Sequence, residues 1–235
     1  MCLIALAHRA ASPFPLVVAA NRDEDYERAT HDAHRWPDAP DVVGGKDALH
    51  GGTWLAVREG GRFAAVTNLR GATPRSRSRG FLVRDFVTND VAVAAYARKI
   101  AAEAEEYAGF HLLAGDAGGE LMYIAPDLQA PLAPGVHAFS NAPAGEEWPK
   151  VGTAVEEMQN ALAITNVDAL IDELMRFLAT PRGTDSPMSE VFIRGDRYGT
   201  RSSTVVVATG TEILFAEQSY ARGGVAVGER RVFMI

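Results

Sequence analysis

Cysteine is almost missing from this chain: Cys2 is the single example in 235 residues. One thiol excludes an intrachain disulfide, so nothing calls for an oxidising compartment. Long hydrophobic runs are also lacking. Leu3 to Ala7 and Leu16 to Ala20 are apolar, but His8-Arg9, Pro13 and Pro15 interrupt them. No basic stretch precedes them, which argues against a secretory signal. No run approaches the roughly 18 apolar residues of a membrane span. Positive charge is short as well: 23 Lys and Arg stand against 30 Asp and Glu, a formal net charge of −7. Such a chain is a poor general partner for nucleic acid or anionic lipid. The six histidines show no zinc spacing beyond His31-x-x-His34, which lacks partners. Gly44-Gly45 and Gly51-Gly52 do not fit a phosphate loop. No metal or cofactor is expected. What remains, 47% hydrophobic and 23% charged, predicts a soluble, cytoplasmic protein with one domain over 1–235.

Periodicity supplies the elements. Cys2 to Ala7 and Leu16 to Ala20 predict a hairpin covered on both faces. Residues 30–52, with Pro37, Pro40 and two Gly pairs, read as an ordered loop. Thr53 to Val57 and Arg62 to Asn68 form the clearest hairpin, and Phe110 to Gly115 with Glu120 to Ile124 form another. Helices are expected over about 80–88 and about 91–106. Val151, Val155, Met158 and Leu162, then Leu170, Leu174 and Phe177, predict two more across 149–178. Gly135 to Phe139, Ser202 to Ala208, Glu212 to Gln218 and Arg231 to Ile235 read as further strands, and 181–200 as loop. Turn-linked strands with segregated helix pairs predict an α+β fold, two antiparallel sheets face to face with helices outside.

Chemistry centres on Cys2. With Met1 removed, one residue carries a thiol and a free α-amine, with reference pKa values of about 8.5 and about 7.7–8.0, so the amine can act as base. Asn21-Arg22-Asp23-Glu24 follows at the end of the second apolar run. An Arg22 guanidinium there would favour thiolate, and Asp23 can hold the ammonium or orient Arg22. Asn68 and Asn141 each end a strand, and either can donate to an oxyanion. Arg201 opens a late strand as a second cation. Against this, a lone cysteine is commonly a small buried hydrophobe, and Asn at a strand end is commonly turn chemistry. Arg75, Arg77 and Arg79 read as a solvated loop.

Several segments together carry a resemblance: Met1-Cys2-Leu3-Ile4, Asn21-Arg22-Asp23-Glu24, Gly51-Gly52-Thr53-Trp54-Leu55, Thr67-Asn68-Leu69-Arg70, Ser78-Arg79-Gly80, Phe139-Ser140-Asn141-Ala142, Trp148-Pro149-Lys150 and Tyr198-Gly199-Thr200-Arg201-Ser202-Ser203-Thr204. In this order they resemble the NRDE family, which includes the transport and Golgi organisation protein 2 homologues. That family is similar to N-terminal-nucleophile hydrolases of the penicillin V acylase and bile-salt hydrolase kind. The resemblance implies a four-layer αββα fold and a site of Cys2, Arg22, Asp23, Asn68, Asn141 and Arg201. The acylases space their early pair as Arg-x-x-Asp, which Asp25 keeps here and Asp23 does not, so both carboxylates stay open.

Two function classes follow. One is a cysteine amidohydrolase with a small-molecule substrate, cutting non-peptide C–N bonds after Met1 removal. The other, suggested by the family's association with haem trafficking and lipid homeostasis, is a non-catalytic carrier of haem, acyl-CoA or another lipid. No nucleic-acid partner is expected in either.

Overall fold

The computed structural model describes every residue except Met1, Ala11, Ala144, Thr184, Asp185 and Thr211. In chain order the elements begin with β1 (Leu3–His8), β2 (Leu16–Asp25), β3 (Thr30–Trp36), β4 (Ala39–Asp47), β5 (Leu55–Arg58) and β6 (Arg62–Asn68). Helices α1 (Gly80–Val87) and α2 (Val93–Ala102) follow, then β7 (Phe110–Asp116), β8 (Leu121–Ala125), β9 (Leu128–Pro131) and β10 (Gly135–Ser140). The chain continues with α3 (Pro149–Ala161), α4 (Val167–Ala179), β11 (Tyr198–Ala208), β12 (Ile213–Ala221) and β13 (Val225–Met234). The class is α+β, with two antiparallel sheets and four helices among the described residues. None of those helices is long and apolar enough to cross a membrane.

The chain divides into two compact units. The first comprises Met1–Arg28, Pro134–Ser140 and Glu146–Met234. Its sheet has the order β10-β1-β2-β11-β12-β13. Side chains alternate across a strand, and the alternation here is sharp. Leu3, Ala5 and Ala7 of β1, Val17 and Ala19 of β2, and Val205 and Val207 of β11 share one face, where they meet Ala154, Met158, Leu170, Leu174 and Leu178 of α3 and α4. The alanines let the helices sit close, and each buried Leu or Val is worth about 1.5–3 kcal/mol in apolar transfer. Helix α4 starts where the Asn166 side chain accepts from the Ala169 amide at 2.9 Å, with Asp168 in its first turn and Arg176 in its last, both favourable to the helix dipole.

The second unit comprises Ala29–Ala133, Asn141–Gly145 and Ile235. Its strands run as a meander, β3 to β9 in sequence order. Trp36, Val42, Ala64, Val66, Leu112 and Ile124 pack against Leu82, Phe86, Tyr96 and Ile100 of α1 and α2. Arg62 fastens the helix pair: its Nε donates to the Phe86 carbonyl at 2.8 Å and Nη2 to that of Val91 at 2.5 Å, with the guanidinium 3.7 Å over the Phe86 ring.

Several expectations need correction. Residues 30–52 are not a loop, since β3 and β4 pair within them. Gly44 and Gly45 are strand glycines: a Cβ on Gly44 would lie 2.7 Å from the Leu55 carbonyl oxygen, and one on Gly45 would strike the Trp54 ring. Strand β9 also went unexpected, hidden by Pro131 at its end. The Asn21–Glu24 cluster does not sit past a strand end. Strand β2 runs on to Asp25 because β11 pairs with it from Tyr198 opposite Asp25 onward, while β1 reaches only as far as Leu3 opposite Asn21. Strands β11 and β13 likewise start earlier than expected, at Tyr198 and Val225.

Candidate active site

Cys2 lies just ahead of β1, and the register that sets Leu3 opposite Asn21 carries it alongside Arg22. The thiol is half-buried, with Sγ 3.8 Å from the backbone oxygen of Asp23. That oxygen also accepts from the Tyr198 hydroxyl at 2.9 Å. Arg22 is 7% exposed and 3.6 Å from Glu24, which is itself 3.7 Å from Arg28. Burial pushes the Arg22 guanidinium down from its usual range, Glu24 and Cys2 oppose that, and Arg201 and Arg28 add to it. A guanidinium starts so high that it stays charged at neutral pH.

Asp23 points to the other face of β2, as alternation requires. Its Oδ1 accepts from the Thr200 hydroxyl at 2.7 Å, and that hydroxyl accepts in turn from the Ile193 amide at 2.9 Å. Burial raises the carboxyl above its ordinary range, while Lys150 and Thr200 hold it down. Lys150 is 0% exposed, in the first turn of α3, with its ammonium 5.7 Å from the Trp148 ring. Burial lowers its affinity for the proton, and Asp23 and then Cys2 draw it back up.

The residues proposed from sequence are distributed as follows. Cys2, Arg22, Asp23 and Arg201 are gathered in the first unit. Arg201 occupies the bulge in β11 opposite β2. Its Nη1 donates to the carbonyls of Asp25, Tyr26 and Arg28 at 3.1, 3.0 and 3.2 Å, so this arm of the guanidinium holds the turn after β2. Asp25 accepts from Arg197 at 2.9 Å and from the Glu27 amide at 2.9 Å, and both keep its carboxyl below the usual range. Of the two carboxylates, Asp23 is therefore the buried one, and its carbonyl meets the thiol. Asn68 and Asn141 belong to the second unit. Asn68 is exposed at the end of β6 opposite Phe110. The Asn141 carbonyl accepts from the Arg70 amide at 3.0 Å, and its buried Oδ1 has no hydrogen-bond partner among the described residues. Met1, on whose removal the amine base depends, lies outside the described residues.

Sequence reasoning missed Lys150 as a site residue. The buried side of α3 is Lys150, Val151, Ala154, Met158 and Ala161, which keeps Val151 and Met158 of the expected stripe and adds Lys150 to it. A signal was present: a cation in a helix's first turn, with no acid beside it, opposes the helix dipole and needs a partner elsewhere.

Solved structures share this architecture. A penicillin V acylase from Agrobacterium tumefaciens superposes with a TM-score of 0.55 at 13% identity, covering 100% of this chain and 86% of that one. A conjugated bile acid hydrolase from Clostridium perfringens gives a TM-score of 0.55 at 8% identity, covering 99% and 92%. The fold is thus that of the N-terminal-nucleophile hydrolases. By sequence, the chain belongs to the Transport and Golgi organisation 2 family, whose model matches residues 1–222. A transport and Golgi organization protein 2 homolog of Bos taurus is 31% identical over 88% of this chain and 87% of its own length. The homolog of Homo sapiens is 30% identical over 94% and 92%.

Proposed function

We propose that the chain is an N-terminal-nucleophile cysteine amidohydrolase acting on non-peptide C–N bonds. The observation that carries this is the placement of Cys2, half-buried with Sγ 3.8 Å from the Asp23 carbonyl, beside the buried Arg22, on a fold shared with solved amide hydrolases. Removal of Met1 frees the Cys2 α-amine to take the thiol proton. The sulfur attacks the amide carbon, and the C–N bond breaks as the ammonium returns its proton to the leaving amine. Water then cleaves the thioester, releasing the acid and restoring the thiol. Arg22 supplies the permanent positive charge at the thiol, and Asp23 fixes the strand end beside it. Asn68 and Asn141 are the side-chain amides proposed for the oxyanion, and Arg201 shapes the 25–28 turn.

Intact-mass measurement of the native N-terminus, joined to substoichiometric iodoacetamide labelling and a panel of N-acyl amides, tests the proposal. Expected are a chain starting at Cys2, a thiol that alkylates faster than free cysteine, and hydrolysis reduced by about 10³-fold or more in Cys2→Ala. Active protein that retains Met1, or a thiol no more reactive than free cysteine, overturns it.

A further inference from the structure

Strand β13 lies at one edge of the first unit's sheet, and no strand among the described residues pairs beyond it. It runs for 10 residues without a proline. Four exposed apolar side chains stand on it: Val225 at 64%, Val227 at 46%, Val232 at 56% and Met234 at 61%. The other edge of the same sheet, β10, has 6 residues, and none of them is exposed. A long apolar edge offers its backbone to another strand, so native proteins keep such edges short, charged or covered. The charges of β13 are confined to its middle, Glu229-Arg230-Arg231, and their order suits one particular cover.

Two copies of a strand that pair antiparallel about a two-fold axis set residues of the same face opposite each other. Faces alternate along a strand, so the axis must pass through a residue that meets itself. Alternation survives the bulge in β13, because Val227 opposite Ser219 and Arg231 opposite Glu217 fall on one face of the sheet. With the axis at Arg230, Glu229 of each copy faces Arg231 of the other, so an opposite-charge contact is made twice. Val227 faces Phe233, Val232 faces Gly228 and Met234 faces Ala226. The remaining like pair is Arg230 with itself, and each Arg230 has a carboxylate in its own chain, with Nη2 2.7 Å from Asp172 Oδ1 of α4. Neighbouring registers lack this match. An axis at Glu229 sets two glutamates together and Arg231 against Val227, and one at Arg231 sets Glu229 against Phe233 and Arg230 against Val232.

We propose that β13 is a self-pairing edge, through which two copies of this chain join antiparallel into one continuous sheet with Arg230 on the two-fold axis. The exposed valines and Met234 are covered in that contact, and Glu229 and Arg231 fix its register.

Sedimentation velocity over a concentration series tests the association, and cysteine cross-linking tests the register. Wild type is expected to run at twice the 25.2 kDa of one chain. Glu229→Arg sets a cation against Arg231 at both ends of the contact and is expected to weaken self-association at least about a hundredfold. Position 230 alone meets itself, so Cys2→Ala/Arg230→Cys should close into a covalent dimer under copper–phenanthroline and oxygen, which take two electrons and two protons from the thiol pair. Cys2→Ala/Glu229→Cys should fail to close with itself and should close when mixed with Cys2→Ala/Arg231→Cys. A wild type that stays monomeric throughout the series overturns the proposal. So does a dimer that a folded Glu229→Arg leaves intact, or one in which Arg230→Cys does not cross-link. Should Glu229→Arg fail to fold by circular dichroism, the cross-linking pattern decides.

Discussion

Asn21 and Ser203 meet across the β2–β11 ladder, with the Ser203 hydroxyl donating to Asn21 Oδ1 at 2.6 Å. The same carboxamide donates to the carbonyls of Leu178 at 2.9 Å and Val191 at 2.8 Å. It thereby ties β2 to the end of α4 and to the segment before β11. Asn21 is 1% exposed, so Asn21→Ala strands two carbonyls and a hydroxyl in the interior. A loss of about 3 kcal/mol is expected, read as a lower urea midpoint with an unchanged slope. Asn21→Asp should be worse, because it places an anion against two carbonyl oxygens.

His8 should make stability depend on pH. It is 2% exposed, and its Nδ1 has no hydrogen-bond partner among the described residues. Burial lowers its pKa below the ordinary 6.5, and the charges of Arg9 and His137 push the same way. Below pH 6.5 the unfolded chain binds a proton that the folded chain resists, so stability falls as pH drops from 6.5 toward the folded value, then levels. Urea midpoints measured at successive pH values should show this slope in the wild type and a shallower one in His8→Phe.

Gly44 tests the β4–β5 contact. A methyl there meets the Leu55 carbonyl oxygen at 2.7 Å and the Ala56 Cβ at 2.9 Å, both on a paired strand that cannot swing aside. Gly44→Ala is expected to destabilise by about 2 kcal/mol or more, measured by thermal or urea unfolding. A neutral result would mean that β5 yields.

Arg201→Lys separates charge from geometry. One ammonium cannot serve the three carbonyls of Asp25, Tyr26 and Arg28 that Nη1 now serves. The variant keeps its positive charge and should lose about 1–2 kcal/mol, with faster proteolytic cleavage in the 25–28 turn. If Arg201 acted only as a cation, Lys would substitute for it without loss.

Much of this architecture was legible from the residues. Turn-bounded alternation located the hairpins at Leu55–Asn68 and Phe110–Ala125, and the 3.6-residue stripe located α3 and α4 on either side of Asn166. Where reading failed, a tertiary partner outweighed a local signal. Gly44 and Gly45 look like turn residues in isolation, and only the approach of Trp54 and Leu55 explains them as strand. Asn21 to Glu24 look like a solvated turn, until pairing with β11 extends the strand through them. At the site, the pairing of the Cys2 strand with the strand that carries Arg22 could be read. The hydrogen bond from Thr200 to Asp23 could not, because its partners lie 177 residues apart in the chain.

Adjacent residues on a strand face opposite ways, and in β2 those residues are an arginine and an aspartate. A slip of β2 by one position would exchange them and set a buried guanidinium where Asp23 Oδ1 now receives the Thr200 hydroxyl. The hydrogen bond from Thr200 to Asp23 therefore discriminates among threadings: a mispaired β2 would bury a charge against a hydroxyl that already receives the Ile193 amide, and only the native register against β11 closes the contact.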